Sequence, residues 1–284
     1  MQLFDLSGSP TSGSTALAPA ISPPAAKRGL DRRYSMLGVQ VDAFTMDELT
    51  EFVAESIRAR ARRIIANHNL HSVCLYQTDR RMRAFYARAA ATFVDGMALI
   101  CIARLLGIPL SRRHRTAAID WLHPLLDRAC TEGWRVFVLA GPPGLGERAR
   151  RILEARHPGL QMETAHGFFN AQRESEDSRE VLARIRGFQP HLLMVGMGMP
   201  RQERWIVEHL PDIEANAILN VGCLMEYTAG DIPTPPRWLG RCGLEWCFRL
   251  VTTPRRVARR YLVESWAVLP IFLREWRAGL GVRR

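Results

Sequence analysis

Short apolar blocks along this chain alternate with longer stretches in which apolar residues recur every three or four positions, as buried strands alternating with amphipathic helices would require. In "LGVQVDAFTMDELTEFVAESIRARAR" a short strand gives way to a helix, with Thr45 as N-cap and Glu48 at capping-box spacing. "RRIIANHNLHSV" reads as a buried strand running into a polar loop, a helix follows around Leu75 to Ala90, and "ATFVDGMAL" is a strand ending at Asp95 and Gly96. The clearest local signal is "GWRVFVLAGPPGLGERARRILEARHPGL", where the apolar run Val136 to Ala140 meets a glycine-rich turn and an arginine-rich helix. "LQMETAHGFF", "ARIRGFQPHLLMVGMGMP" and "NAILNVGCLMEYTAG" supply further strands. This alternation predicts an α/β fold with a mostly parallel sheet and helices on both faces.

In such sheets ligands bind beyond the C-terminal ends of the strands. That rule gathers the loops Asn67 to His71, Asp95 to Gly96 and Gly196 to Gln202 on one edge, with the turn Gly141 to Gly146 beside them. A carboxylate at Asp95 could act as a general base or cap the helix beginning near Met97. His68 and His71 could be a base, a metal pair or loop polar groups. The turn "GMGMPRQERW" could present helix N–H groups to an anion or be an ordinary connection with a capping glutamate. "GPPGLG" matches neither a dinucleotide fingerprint nor a P-loop.

Composition adds an anionic partner to this picture. At 284 residues, with 47% hydrophobic and 24% charged residues, the chain can bury one large core, and its formal net charge is +11. From Arg237 to Arg284 eleven arginines stand against Glu245, Glu264 and Glu275, a net of +8, and four of the seven tryptophans lie there. "LVESWAVLPIFLREW" puts Leu262, Trp266, Leu269, Leu273 and Trp276 on one helical face, either packed on the core or laid into a lipid interface, with Pro270 expected to kink it. No stretch is long and apolar enough to span a bilayer. The expected division is a disordered leader over 1–30, the α/β domain over 31–230, and a basic, tryptophan-rich C-terminal appendage over 231–284. The six cysteines show no C-x-x-C pair and no zinc-like spacing, so most of them read as small core residues in a reducing cytoplasm. No metal site or cofactor is expected, and no D-x-D pair is present to hold a cation against a diphosphate.

Taken in order, "FVDGMAL", "GMGMPRQERW", "NVGCLMEYTAG", "PTPPRWLGRCGLEWCFRL" and "TPRRVARRY" resemble the WecG/TagA/CpsF glycosyltransferases over roughly Leu37 to Tyr261. The resemblance implies a Rossmann-like domain followed by a membrane-associating appendage. It also implies a metal-independent, inverting transfer of a hexose from a UDP-sugar donor to a polyprenyl-diphosphate-linked sugar acceptor. The enzyme would sit peripherally on the cytoplasmic face of the inner membrane, with a homo-oligomer possible.

Residue by residue, Asp95 matches the family base, Asn69 the asparagine of the first loop, and Arg115 the arginine of an R-x-x-G-x-D stretch. Gly196 opens the loop that continues into the G-x-P-x-Q-E motif, whose Gln202 is expected to face the nucleotide-sugar and whose Glu203 is expected to cap or brace the loop. Arg249, Arg256 and Arg260 match the appendage arginines. Three positions depart from the family pattern: Asn67 replaces a threonine, Ala118 a glycine, and Thr234–Pro235–Pro236 an R-A-P triplet.

The "IANHNLHS" loop and the tail resemble most the branch acting in xanthan-like gum assembly, which implies β-1,4-glucosyl transfer to glucosyl-diphosphate-polyprenol. The alternative is transfer of N-acetylmannosamine, or its uronic acid, from UDP to N-acetylglucosaminyl-diphosphate-undecaprenol. A nucleic-acid-binding protein is the rival from another class, but it leaves Asp95 and the G-x-P-x-Q-E loop without a role. A nicotinamide-dependent oxidoreductase would need a fingerprint that "GPPGLG" does not supply.

Overall fold

A computed structural model of the chain describes residues 32–279; the expected leader lies outside this range. Eight strands occur among these residues: β1 (Arg33–Met36), β2 (Val39–Asp42), β3 (Arg63–His68), β4 (Ala89–Val94), β5 (Arg135–Ala140), β6 (Gln161–Ala165), β7 (Leu192–Gly196) and β8 (Ala217–Asn220). β3 to β8 form one six-stranded, wholly parallel sheet in the order β4-β3-β8-β7-β5-β6. The fold is α/β and Rossmann-like, and the residues of each central strand alternate between two cores.

One core takes Ile64, Phe137, Leu193 and Ile218, together with Val73, Phe85, Leu99 and Trp205 from the helices above. The other takes Ile65, Val138, Met194 and Leu219, with Phe52, Trp121, Leu153 and Leu224 from the helices below. Burial on both sides accounts for the unbroken apolar runs of these strands.

The chain enters through a hairpin of which sequence reading found only the second strand. β1 and β2 are joined at Leu37 and Gly38, both with positive φ (52° and 87°), the signature of a two-residue type I′ turn. The hairpin shields the edge of the sheet at β4: Asp42, held by Arg33 at 2.7 Å, accepts the Thr92 N–H, and Arg33 donates to the Ala90 carbonyl. Thr45 and Glu48 form the expected capping box on the helix Met46–Arg58.

The helix expected around Leu75 to Ala90 is instead two, Leu70–Thr78 and Arg80–Arg88. Between them Asp79 adopts extended backbone and caps the second by accepting the Arg81 and Met82 N–H groups. The cysteines also differ from expectation, since none is buried: Cys101 and Cys242 are exposed and the other four half-buried, all as free thiols.

Beyond β8 the chain continues as the helices Leu224–Thr228, Arg237–Cys242, Glu245–Thr252, Pro254–Leu262 and Val268–Ala278, with a short 3-10 turn at Glu264–Ala267. The stretch expected to form one helix over Leu262 to Trp276 is broken before Val268, and Pro270 lies in the first turn of the last helix, where its missing N–H removes no helical hydrogen bond. This helix has two apolar sides. Val268, Ile271 and Phe272 pack on the core and Glu275 accepts the Leu37 N–H at 2.6 Å, while Trp266 just before it and Leu269 and Trp276 within it are exposed. The choice between core and surface therefore resolves into both. Among the described residues no helix is long and apolar enough to cross a membrane.

Candidate active site

The topology opens a crevice beside β3. The loop after β3 leads into Leu70–Thr78, packed on one face of the sheet through Val73, whereas the loop after neighbouring β8 leads into Leu224–Thr228, packed on the other through Leu224 and Met225. Adjacent strands that send their connections to opposite faces leave a gap between them at the C-terminal edge. The backbone ladder between the two strands stops at Ile65 and Leu219, so the strand ends beyond it are free to splay.

Two adjoining chambers fill this gap, of about 500 and 510 Å³, a size that suits small-molecule ligands. Asn69, His71, Asp95, Arg249 and Arg260 line both. The first chamber extends over Gly198, Gly222 and Tyr227 toward Arg255, Arg256 and Arg259. The second is more apolar, bounded by Leu70, Met97, Ala98, Trp246 and Tyr261. A larger hollow of about 940 Å³ lies at the opposite, N-terminal ends of the strands, around Arg62, Arg135 and Asn216. It is reached by none of the candidate residues.

Asp95 occupies the junction. It does not cap the following helix, whose N-cap is Gly96 (φ 99°) with no side-chain cap bond. Its N–H is tied to the His68 carbonyl at 2.8 Å, and its Oδ2 accepts from Asn67 Nδ2 at 3.3 Å. Surrounding protein raises its pKa above the ordinary value by withdrawing the carboxylate from water, with Glu245 adding to the rise, while Arg249, Arg115 and the Asn67 hydrogen bond pull the other way. A half-buried carboxyl facing a cavity, with cations close by, has the surroundings of a tuned general base.

Asn69 caps Leu70–Thr78 by accepting the His71 and Ser72 N–H groups, donates to Asn67 Oδ1 at 3.2 Å, and accepts from Arg260 Nη2 at 3.1 Å. The last contact ties the appendage to the sheet edge. His71 reinforces it, with Nδ1 at 3.0 Å from Glu264 Oε2. Its pKa falls to about 4 through burial and the nearby Arg260, against the pull of Glu264, which leaves the imidazole neutral. His68 and His71 do not form a metal pair: His68 is buried with Nδ1 at 2.8 Å from the Ser72 hydroxyl, and its pKa drops to about 3 through burial.

The appendage arginines enter the cavity as a group. Arg249 lies over the Tyr227 ring at 5.3 Å, and its buried Nε has no hydrogen-bond partner. Arg256 donates to Glu226 at 3.1 Å. Grouped cations with an unfilled donor in a low-dielectric cleft suit a diphosphate.

Three predicted site residues stand behind the cavity rather than in it. Arg115 bridges Asp120 (3.4 Å) and the appendage residue Glu245 (2.7 Å), so it reaches Asp95 through its charge and clamps the tail. At Gly196 a Cβ would meet the Gly222 carbonyl at 2.6 Å and Ala140 Cβ at 2.9 Å, so the glycine permits close strand packing. Gln202 is fully buried, accepting the Gly222 N–H and donating to Glu203, and does not face the cavity as expected.

Sequence reading passed over Asn220, Gly222 and Tyr227, although all fall within the quoted "NVGCLMEYTAG"; their position after an apolar strand was the available signal. Ala118 and Asn67, two of the departures from the family pattern, line the first chamber.

The sequence model of the glycosyl transferase WecG/TagA/CpsF family matches residues 34–280, and the chain belongs to that family. Among curated proteins it is similar to N-acetylglucosaminyldiphosphoundecaprenol N-acetyl-beta-D-mannosaminyltransferases of Staphylococcus aureus, strains MRSA252 and NCTC 8325 / PS 47. Each is 26% identical over 235 residues, covering 82% of this chain and 90% of the relative. These relatives carry the mannosaminyl alternative and lend nothing to the gum-type glucosyl reading drawn from the "IANHNLHS" loop.

Proposed function

We propose that this family member transfers N-acetylmannosamine from a UDP-linked donor to N-acetylglucosaminyl-diphosphate-undecaprenol, inverting the anomeric centre without a metal ion. The observation that carries the reading is Asp95 at the junction of two chambers that share Asn69, Arg249 and Arg260. One chamber would take the donor and the other the sugar end of the acceptor, which places the acceptor hydroxyl next to the carboxylate.

Asp95 removes the proton from that hydroxyl as its oxygen attacks the anomeric carbon, and the bond to the UDP oxygen breaks on the opposite face. Arg249, Arg256 and Arg260 stabilise the charge that develops on the departing diphosphate. The exposed tryptophans and basic residues of the appendage support peripheral attachment to an anionic membrane, where the lipid acceptor resides.

The test is a panel of UDP-sugars, including UDP-N-acetylmannosamine and UDP-glucose, assayed with N-acetylglucosaminyl- and glucosyl-diphosphate-lipid in EDTA, with the product linkage determined. Turnover of UDP-N-acetylmannosamine on the N-acetylglucosaminyl acceptor in chelator is the expected result. Exclusive use of UDP-glucose would overturn the donor assignment. Activity lost in EDTA and restored by Mg²⁺ would overturn the arginine-based account of leaving-group departure.

A further inference from the structure

Behind the cavity a line of hydrogen bonds runs from the buried face of the helix Arg201–His209 to Asp95. Glu203 is completely buried, and its Oε1 accepts both Gln202 Nε2 and Asn220 Nδ2, each at 2.7 Å. Its Oε2 is buried without a hydrogen-bond partner. Asn220 turns its other end outward, and Oδ1 accepts the Asn67 N–H at 2.7 Å.

The chemistry at both ends fixes the Asn220 amide. Glu203 Oε1 accepts and the Asn67 N–H donates, so a flipped amide would set two donors against each other at Asn67. Asn67 is held on its other side as well, since its carbonyl accepts the Tyr86 hydroxyl at 2.8 Å. The Asn220 side chain thus takes over where the backbone ladder between β3 and β8 has ended. From that anchored position Asn67 Nδ2 donates to Asp95 Oδ2 and Asn67 Oδ1 accepts from Asn69.

We infer that Glu203 and Asn220 are positioning residues for Asp95, acting through Asn67. Glu203 sets the Asn220 amide, Asn220 sets the end of β3, and Asn67 then aims and tunes the carboxylate. A buried carboxyl with one oxygen unpartnered costs stability, and a leucine of similar size would avoid that cost. The arrangement is explained by what it orients. This inference rests on the reading of Asp95 as the base.

The experiment compares E203L, E203Q, N220A and D95N with the intact chain, using the donor and acceptor identified by the panel. For each, folding, donor KM, kcat and the pH profile of kcat are measured. E203L and N220A are expected to lower kcat on the order of 10-fold to 10²-fold with little change in donor KM. Their acid limb should move to higher pH, because Asn67 no longer donates dependably to Asp95. E203Q should stay within about threefold of the parent, its amide oxygen accepting as before and its nitrogen lying where Glu203 has no partner.

Wild-type kcat and limb in a folded E203L, or loss of kcat with an unmoved limb, overturns the inference. If E203L does not fold, the smaller N220A change decides by the same criteria. D95N separates the two levels: normal turnover there removes the base reading itself, whereas an inactive D95N beside a fully active E203L and N220A removes only the positioning role.

Discussion

Replacing Trp266 and Trp276 with serine should detach the protein from lipid while leaving the cavity built. The two side chains are 70% and 58% exposed. Taking a tryptophan as roughly 200 Å², the pair presents on the order of 250 Å² of largely apolar surface. At about 25 cal/mol per Å² its full withdrawal from water is worth about 6 kcal/mol, and half-immersion at a headgroup boundary about 3 kcal/mol. The smaller figure is on the order of a 10²-fold change in partitioning. The substitution spares Val268 and Glu275, which tie the last helix to the core and to the Leu37 N–H, so the contacts that seat the tail are retained. Co-sedimentation with vesicles containing anionic lipid, at several salt concentrations, reads the partitioning directly. Transfer to a short-chain, water-soluble acceptor should be nearly unchanged in the same variant. If the double variant sediments like the parent, these tryptophans do not meet the lipid and the interfacial assignment of the tail's outer face is wrong.

Asp95→Asn should lower kcat on the order of 10²-fold or more while donor binding, followed by calorimetry, persists. Its melting temperature at pH 7 should be no lower than the parent's, and any difference should close as pH falls. Burial raises the folded-state pKa of Asp95, so ionisation opposes folding above that pKa and protonation removes the penalty below it. Arg249→Gln should move the acid limb of kcat to higher pH, since Arg249 is the largest influence lowering the Asp95 pKa; an unmoved limb in an active variant would separate the two groups. Gly196→Ala should cost about 1–3 kcal/mol in urea denaturation, because β7 is paired on both sides and the new Cβ would meet the Gly222 carbonyl at 2.6 Å. An unchanged midpoint would show that the β8 loop yields freely.

The parallel sheet was legible because its central strands β5, β7 and β8 are concentrated apolar runs, and the capping box at Thr45 because its chemistry is local. Features decided at a distance were not legible. Gln202 stands at a strand-to-helix turn, where a polar side chain can face a ligand or the interior; what turns its loop inward is an acceptor network completed by Asn220, seventeen residues from Glu203. The hairpin was missed because Leu37 takes a positive φ that its residue type does not advertise. The break at Asp79 was hidden by apolar spacing that continues through it, although Asp79 is a capping residue type and also pairs with Arg204 from another helix at 2.7 Å. Asn67, Asn69, Asp95, Arg249, Arg256 and Arg260 did converge, because strand ends and a basic tail were the right places to look.

The same geometry makes the appendage part of the site's electrostatics. Arg249, which comes from the tail, lowers the Asp95 pKa directly. Arg115 does so from the chain ahead of β5, but its guanidinium is held at 2.7 Å by Glu245, again from the tail, and Asp120 is shared between Arg115 and the tail's Arg237. Arg260 reaches Asn69, which holds the Asn67 side chain that donates to the base. A tail that lifted from the sheet would therefore take away Arg249, the largest influence lowering the Asp95 pKa, together with Glu245, which raises it, and would release the Arg260 contact to Asn69. Because Trp246, Arg249, Arg260 and Tyr261 of the tail also wall the chamber around Asp95, the same motion would return the carboxyl to water and undo the burial that raises its pKa. Docking of the appendage and the electrostatic setting of Asp95 follow from one set of contacts.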